Sequence, residues 1–267
     1  MNPMLNIAIR AVRKAGNIVA KGFERRDDIQ TNQKSTNDYV TNIDKAAEAA
    51  IIEIIRKSYP EHTIIAEESG ASEGKESDIQ WVIDPLDGTT NFVKGLPHFS
   101  ISIAVRVKGR TEIAVVYDPI RNELFTAVRG EGAKLNEYRL RIDNSSELTG
   151  AILATGFPFK IKRYVPIHLN MVSALIEDCA DFRRTGSAAL DLCYVAAGRV
   201  DAYFEMGVKA WDCAAGDLIV REAGGLVTDF VGGHSYLTKG NIVAGSARIT
   251  KQILAKLQPC LTDEIKN

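Results

Sequence analysis

The chain has 267 residues, 45% hydrophobic and 25% charged, with a formal net charge of -1. These are the proportions of a globular protein, with enough chain for one large domain or two lobes sharing a core. The near balance of charge excludes a global basic field for nucleic acid or an anionic membrane, and no apolar run reaches the roughly 18 residues that a membrane span needs.

The opening stretch, MNPMLNIAIRAVRKAG, mixes Arg and Lys into an amphipathic pattern without a signal-peptide core, so the expected location is the cytoplasm. Apolar groups at Leu5, Ile9, Val12 and Val19 predict a helix over residues 4 to 24. Residues 25 to 42, RRDDIQTNQKSTNDYVTN, are polar and turn-rich and read as a mobile loop. A second helix is predicted from near Asp44, ended by Pro60. HTIIA and IQWVIDP read as strands. FSISIAVRV and RTEIAVVYDP form a hairpin at Lys108-Gly109, and NELFTAVRG and AKLNEYRLR extend a largely antiparallel sheet. Beyond residue 150 the texture alternates. AILATGF, DFRRTG, DAYFEM, LVTDF and NIVAGS are predicted strands. Residues 164 to 178, SAALDLCYVAAG, WDCAAGDLIVREAGG and a segment from near Arg248 are predicted helices. No repeat, low-complexity segment or linker interrupts the chain. The pattern predicts one α+β unit over residues 1–267, with two lobes meeting softly near residue 150. The four cysteines include no C-x-x-C pair and no His at zinc-ligand spacing, which points to neutral thiols in a reducing compartment.

Acids fall repeatedly at the ends of predicted strands and the starts of predicted helices: Asp44, Glu67, Glu68, Asp84, Asp87, Glu205 and Asp212. Gathered carboxylates repel, and a hard cation such as Mg²⁺, which takes oxygen ligands, relieves that repulsion. In DPLDGT, Pro85 turns the chain after Asp84, which aims both carboxylates at one point and leaves the Leu86 carbonyl as a third oxygen. Gly88 permits close backbone approach, and the Gly88 and Thr89 N–H groups would donate to an anion if they begin a helical turn. The competing reading is a solvated Asp-Pro and Asp-Gly turn, with Asp44 a simple helix cap. The four histidines show no ligand spacing and suit surface or packing roles.

WVIDPLDGTTNF, residues 81 to 92, resembles the first signature of the inositol monophosphatase family, and WDCAAGDLIVREAGG, residues 211 to 225, resembles its second. EES at Glu67 to Ser69, KSTNDYVTNID and DFRRTGSAALDLCYVAAGRVDAYFE also fit, so the resemblance covers nearly the whole chain. It implies a five-layered αβαβα sandwich shared with fructose-1,6-bisphosphatase and bisphosphate nucleotidases. It implies an Mg²⁺-dependent, Li⁺-sensitive phosphomonoesterase that hydrolyses inositol-1-phosphate and related polyol phosphates with a metal-activated water. Two to three ions per site and a homodimer are the family's habit.

By the same resemblance, Glu67, Asp84 and the Leu86 carbonyl hold one ion, and Asp84, Asp87 and Asp212 a second. Glu67 helps to hold a third through water and counts with Asp44 and Thr89 among the catalytic residues, the last two activating the attacking water. Leu86, Asp87, Gly88, Thr89 and Asp212 face the substrate, with Gly88 and Thr89 cradling the phosphate. Gly186, Ser187, Ala188 and Glu205 line the polyol pocket, with Arg183 close by, and Lys34 sits in a loop that closes over the site. Of the adjacent Arg183 and Arg184, strand alternation turns only one toward the pocket. For bacterial members the resemblance further implies association with the Nus antitermination complex and RNA polymerase in ribosomal RNA transcription. That role needs a surface rather than the pocket, and no membrane or direct DNA binding is expected.

Overall fold

The computed structural model describes residues 2–25, 29–35, 38–143 and 147–266. Helices α1 (Pro3–Glu24) and α2 (Asn42–Ser58) flank a two-stranded hairpin, β1 (Thr31–Ser35) and β2 (Asp38–Thr41). The main sheet has eight strands: β3 (His62–Ala66), β4 (Gly70–Ser72), β5 (Glu76–Asp87), then, after the short helix α3 (Thr89–Lys94), β6 (Ser100–Val107), β7 (Arg110–Asp118), β8 (Glu123–Val128), β9 (Gly132–Leu135) and β10 (Tyr138–Arg139). Their spatial order is β10-β9-β8-β7-β6-β5-β3-β4, antiparallel except where β3 runs parallel to β5. A five-stranded sheet follows, ordered β12-β11-β13-β15-β14. Its strands are β11 (Ile152–Thr155), β12 (Asp181–Arg183), β13 (Ala202–Met206), β14 (Leu226–Thr228) and β15 (Asn241–Gly245). Helices α4 (Val165–Ile176), α5 (Ala188–Ala196), α6 (Ala210–Glu222), α7 (Tyr236–Lys239), α8 (Ala247–Leu257) and α9 (Asp263–Lys266) complete the chain.

Side-chain alternation assigns each strand face to a layer. On β5, Trp81 and Ile83 pack with Ala11, Val12, Ile51 and Ile55 of α1 and α2, while Val82 between them packs with Leu190 and Leu218 of α5 and α6. On β13, Tyr203 faces that same middle helix layer, while Ala202 and Phe204 face Met171 and Leu175 of α4 and Ile249 and Ile253 of α8. The result is a five-layered αβαβα sandwich of the α+β class. The middle helices are apolar on nearly all sides because sheets cover both of their faces. Close approach of α5 and α6 depends on Gly216, where a Cβ would lie 2.5 Å from Cβ of Leu192.

The hairpin at Lys108-Gly109 forms as its sequence suggests, with both residues at positive φ, 50° and 78°. One expectation is overturned. Residues 25 to 42 are not a loop throughout, because β1 and β2 pair across them. Reciprocal bonds anchor their base: Asn42 N donates to Gln30 O at 3.1 Å, and Gln30 N donates to Asn42 Oδ1 at 3.0 Å. The pattern is too polar to advertise a strand. Lys34 falls on β1, and its side chain lies outside the described residues. The short elements β4, α3, α7 and α9 are also not among the predicted elements.

The buried imidazole of His168 on α4 sits 5.0 Å from the ring of Phe157 and 5.6 Å from that of Phe204, centroid to centroid. Neither ring nitrogen finds a partner among the described residues. Desolvation first, and then the charge of Arg184, push its pKa down to about 4. Its folded pKa therefore lies below the unfolded value near 6.5, so the unfolded state binds the extra proton as pH falls between them. Acid destabilisation is the result. His168→Leu is expected to remove about 2–3 kcal/mol of the stability lost between pH 6.5 and 4, measured by urea unfolding across that range.

Candidate active site

The site is built around the C-terminal end of β5. Asp84 pairs with Ser102 and Asp87 with Ser100, so β5 holds one more residue than β6 over this stretch. In a regular strand an interval of three would put the two acids on opposite faces, and the extra residue of the bulge restores them to one. Pro85 fits at the bulge because it has no N–H to give to a ladder. Asp84 is 2% exposed, and its Oδ1 accepts from Leu86 N at 2.9 Å. The Leu86 side chain is buried in the outer core, and its carbonyl oxygen lies 3.0 Å from Thr89 Oγ1, an alternative acceptor to Asp44 Oδ1 for the one hydroxyl proton. Glu67 leaves β3, the parallel neighbour of β5, and its N–H donates to Ile83 O at 3.1 Å, which sets it beside Asp84.

Gly88 caps α3 at φ +99°. A Cβ there would come 3.1 Å from His98 O and 3.3 Å from Gly186 O, so two glycine backbones meet where the end of β5 approaches the segment before α5. Asn91 ties that junction, donating from Nδ2 to His98 O and to Thr185 O, both at 2.8 Å. Asp87 crosses the same junction. Its Oδ2 accepts from Ser187 Oγ at 2.6 Å and Ala189 N at 2.8 Å, with the Ala188 amide also bonded to the carboxylate at the start of α5. Asp212 stands in the first turn of α6, its Oδ2 accepting from Lys209 N at 2.7 Å.

Asp44 works at both ends of its carboxylate. Oδ2 closes a capping box with Thr41, accepting from its N at 2.9 Å and from its Oγ1 at 2.5 Å. Oδ1 lies 3.1 Å from Thr89 Oγ1. Helix cap and site residue are therefore one arrangement. Burial raises the Asp44 pKa, and the Thr41 bonds and then the Thr89 contact oppose that rise.

Burial is also the leading cause that raises the pKa of Asp84, Asp87 and Asp212. The charges of Glu67, Asp87 and Asp212 add to it at Asp84, and those of Asp87, Glu67 and Glu205 at Asp212. No three His, Cys, Asp or Glu side chains among the described residues are drawn in around a common point at ligating distance. The donor chemistry nevertheless fits a hard divalent ion: carboxylates and a carbonyl, within Coulombic reach, without competing sulfur or imidazole.

Around these acids, Gly186 lies at φ +96°, Ser187 caps α5, and Glu205 projects from β13 toward the middle layer. Burial raises the Glu205 pKa to about 7, and its OH neighbour Tyr203 and then Arg184 pull it back. The two arginines divide. Arg183 is exposed and turns to Asp181, its Nη1 2.5 Å from Oδ2, whereas the charge of Arg184 reaches Asp87, Asp191 and Glu205. Of the two, Arg184 is the one whose charge acts on the acids of the site. Strand β12 ends at Arg183, so Arg184 is free of strand alternation. Asp191 is buried and accepts from Thr185 Oγ1 at 2.7 Å. The sequence reading overlooks Thr41, Asn91 and Tyr203, although the T-x-x-D spacing of Thr41 and Asp44 is a legible capping signal.

The model of the inositol monophosphatase family matches residues 1–262. The chain is 77% identical over 266 residues to the Nus factor SuhB of Pasteurella multocida, covering 100% of both chains. Its fold superposes with TM-score 0.94 on the crystal structure of extragenic suppressor protein suhB from Bartonella henselae, at 38% identity, covering 96% of this chain and 99% of that one. It also matches an inositol monophosphate-bound structure of SaIMPase-II with TM-score 0.81 and 28% identity, covering 96% of this chain and 94% of that one.

Carboxylates whose folded pKa lies above the unfolded value cost stability once pH exceeds the unfolded value. Asp87→Asn keeps a carbonyl for Ser187 and Ala189 while removing one charge. At pH 8 without metal it is expected to melt a few degrees above wild type, and added Mg²⁺ is expected to raise the wild-type midpoint more than the mutant's. Differential scanning calorimetry with and without Mg²⁺ checks both.

Proposed function

The chain belongs to the inositol monophosphatase family, and on that premise we propose that it is an Mg²⁺-dependent phosphomonoesterase that hydrolyses inositol-1-phosphate and related polyol phosphates. The observation that carries this reading is the set of Asp84, Asp87 and Asp212 with Glu67 beside it, Asp84 buried and the other two aspartates half-buried, within reach of one another's charge. The solved relative with inositol monophosphate bound supports the substrate class.

Glu67, Asp84, Asp87, Asp212 and the Leu86 carbonyl would hold Mg²⁺. When bound, Mg²⁺ supplies Lewis-acid stabilisation of phosphoryl charge and lowers the pKa of a water. The protein's own groups do the rest. Thr89 orients a proton toward Asp44 Oδ1, from which it stands 3.1 Å away. Burial raises the Asp44 pKa above that of an exposed carboxyl, which makes it a better proton acceptor. The turn at Gly88 and Thr89 brings backbone N–H groups to the phosphate. Glu205 and the Gly186–Ala188 turn meet the polyol, and Arg184 tempers the negative field around them. A homodimer, Li⁺ sensitivity and a cytoplasmic location belong to the same reading.

A second reading is compatible with the first. The curated relative at 77% identity is called a Nus factor, so we also propose that the chain joins a transcription antitermination complex through a surface outside the pocket. A metal-site mutant that keeps this role would separate the two.

Purified protein is expected to release phosphate from inositol-1-phosphate with Mg²⁺, with release abolished by EDTA and reduced by Li⁺. Asp87→Asn is expected to lower turnover by at least 100-fold. Metal-independent release, or wild-type turnover by the mutant, would overturn the reading.

A further inference from the structure

Position 156 is glycine without a conformational reason. It follows β11 and is not among the residues at positive φ. A Cβ there would run into the carboxylate of Glu205, which would have to swing aside to admit it. Glu205 stands on the neighbouring strand β13, where Phe204 pairs with Thr155, the residue before Gly156. Its carboxylate therefore lies flat on the Gly156 backbone.

A second contact fixes the same carboxylate. Tyr203, two residues earlier on the same face of β13, is fully buried, and its OH donates to Glu205 Oε2 at 2.7 Å. Burial, the charges of Glu205 and Asp191, and that bond hold the phenol pKa well above its ordinary value, so it remains a donor. A buried tyrosine hydroxyl needs a partner, and here it takes a side chain that faces the acids of the site.

We infer that Tyr203 and Gly156 are positioning residues that clamp Glu205 in one orientation, and that this clamp sets selectivity for the polyol part of the substrate. The inference rests on the reading of Glu205 as a polyol contact. A carboxylate held by a tyrosine on one side and a glycine on the other loses little rotamer freedom when it meets hydroxyl groups. Catalytic chemistry at phosphorus does not require it, so a damaged clamp should weaken ring recognition and leave the reaction at phosphorus intact.

Tyr203→Phe keeps the ring and removes only the hydroxyl. With Mg²⁺, KM for inositol-1-phosphate is expected to rise about 10-fold while kcat changes less than about 2-fold. Both constants for p-nitrophenyl phosphate, which has no polyol, should stay unchanged. Gly156→Ala, which displaces Glu205 without touching Tyr203, should give the same split. Glu205→Gln with Tyr203→Phe should lose little beyond Glu205→Gln alone, because both act through one group. Calorimetric binding of inositol-1-phosphate to wild type and Tyr203→Phe provides a readout that does not need turnover, and the mutant's affinity should fall by about the same factor. An equal loss on both substrates would make the tyrosine merely structural and overturn the inference, as would no loss on either. If the wild type hydrolyses neither substrate but Tyr203→Phe binds inositol-1-phosphate more weakly, the phosphatase reading fails while the clamp stands. If the wild type neither hydrolyses nor binds inositol-1-phosphate, both fall.

Discussion

Repulsion among closely set, largely desolvated carboxylates is the constraint around which this site is organised. Desolvation raises the cost of ionising each of Asp84, Asp87 and Asp212, the charges of Asp87 and Asp212 add to it at Asp84, and that of Asp87 adds to it at Asp212. They stay together because the backbone holds each by a different device. Asp84 folds back on Leu86 N, Asp212 closes the first turn of α6, and Asp87 is held by Ser187 and the first amides of α5. The last of these places a negative group at the positive end of a helix, which recovers part of the desolvation cost. Because Asp87 belongs to the eight-stranded sheet and α5 to the middle layer, that electrostatic device is also a mechanical joint.

The middle layer makes the joint rigid. Helices α5 and α6 lie between two sheets, and their small residues let the layers close: Gly216 admits Leu192, and Ala214 and Ala215 are fully buried. Asp87 is met by the start of α5, and Asp212 lies in the first turn of α6. Packing of the central core therefore sets the separation of these acids, and sub-ångström shifts at Gly216 would be felt in the site. Asn91 performs the same service on the other side of Gly88, satisfying two carbonyls from distant segments with one amide nitrogen. Losing that side chain would leave both carbonyls in need of partners.

Much of this was legible in the residues. The alternation of Trp81, Val82 and Ile83, and the apolar faces of α1 and α2, announce strands and helices whose burial follows. Asp84 and Asp87 stand out because carboxylates end an apolar run. Less legible was the β1–β2 hairpin, since its strands are polar and its base is tied by Gln30–Asn42 hydrogen bonds that no apolar periodicity announces. The choice between Arg183 and Arg184 depends on where β12 stops, and a boundary of one residue is beyond any pattern. Gly156 was invisible for another reason. What a side chain there would meet is a carboxylate on an adjacent strand, and no local rule connects residues 156 and 205.

The contrast between Glu205 and the three acids of the β5 and α6 termini shows how differently neighbours can perturb the same functional group. Asp84 and Asp212 are perturbed by burial together with neighbouring negative charge, and a cation is the natural remedy for both. Glu205 is perturbed chiefly by burial, with Tyr203 and Arg184 as the opposing influences, and its pKa settles at about 7. A carboxyl near that value offers both a donor and an acceptor form around neutrality, which suits hydroxyl groups better than a metal ion. The tyrosine bond and the glycine floor complete the distinction, since they hold the group still without neutralising it. The same functional group is thus given different properties by the company each carboxylate keeps.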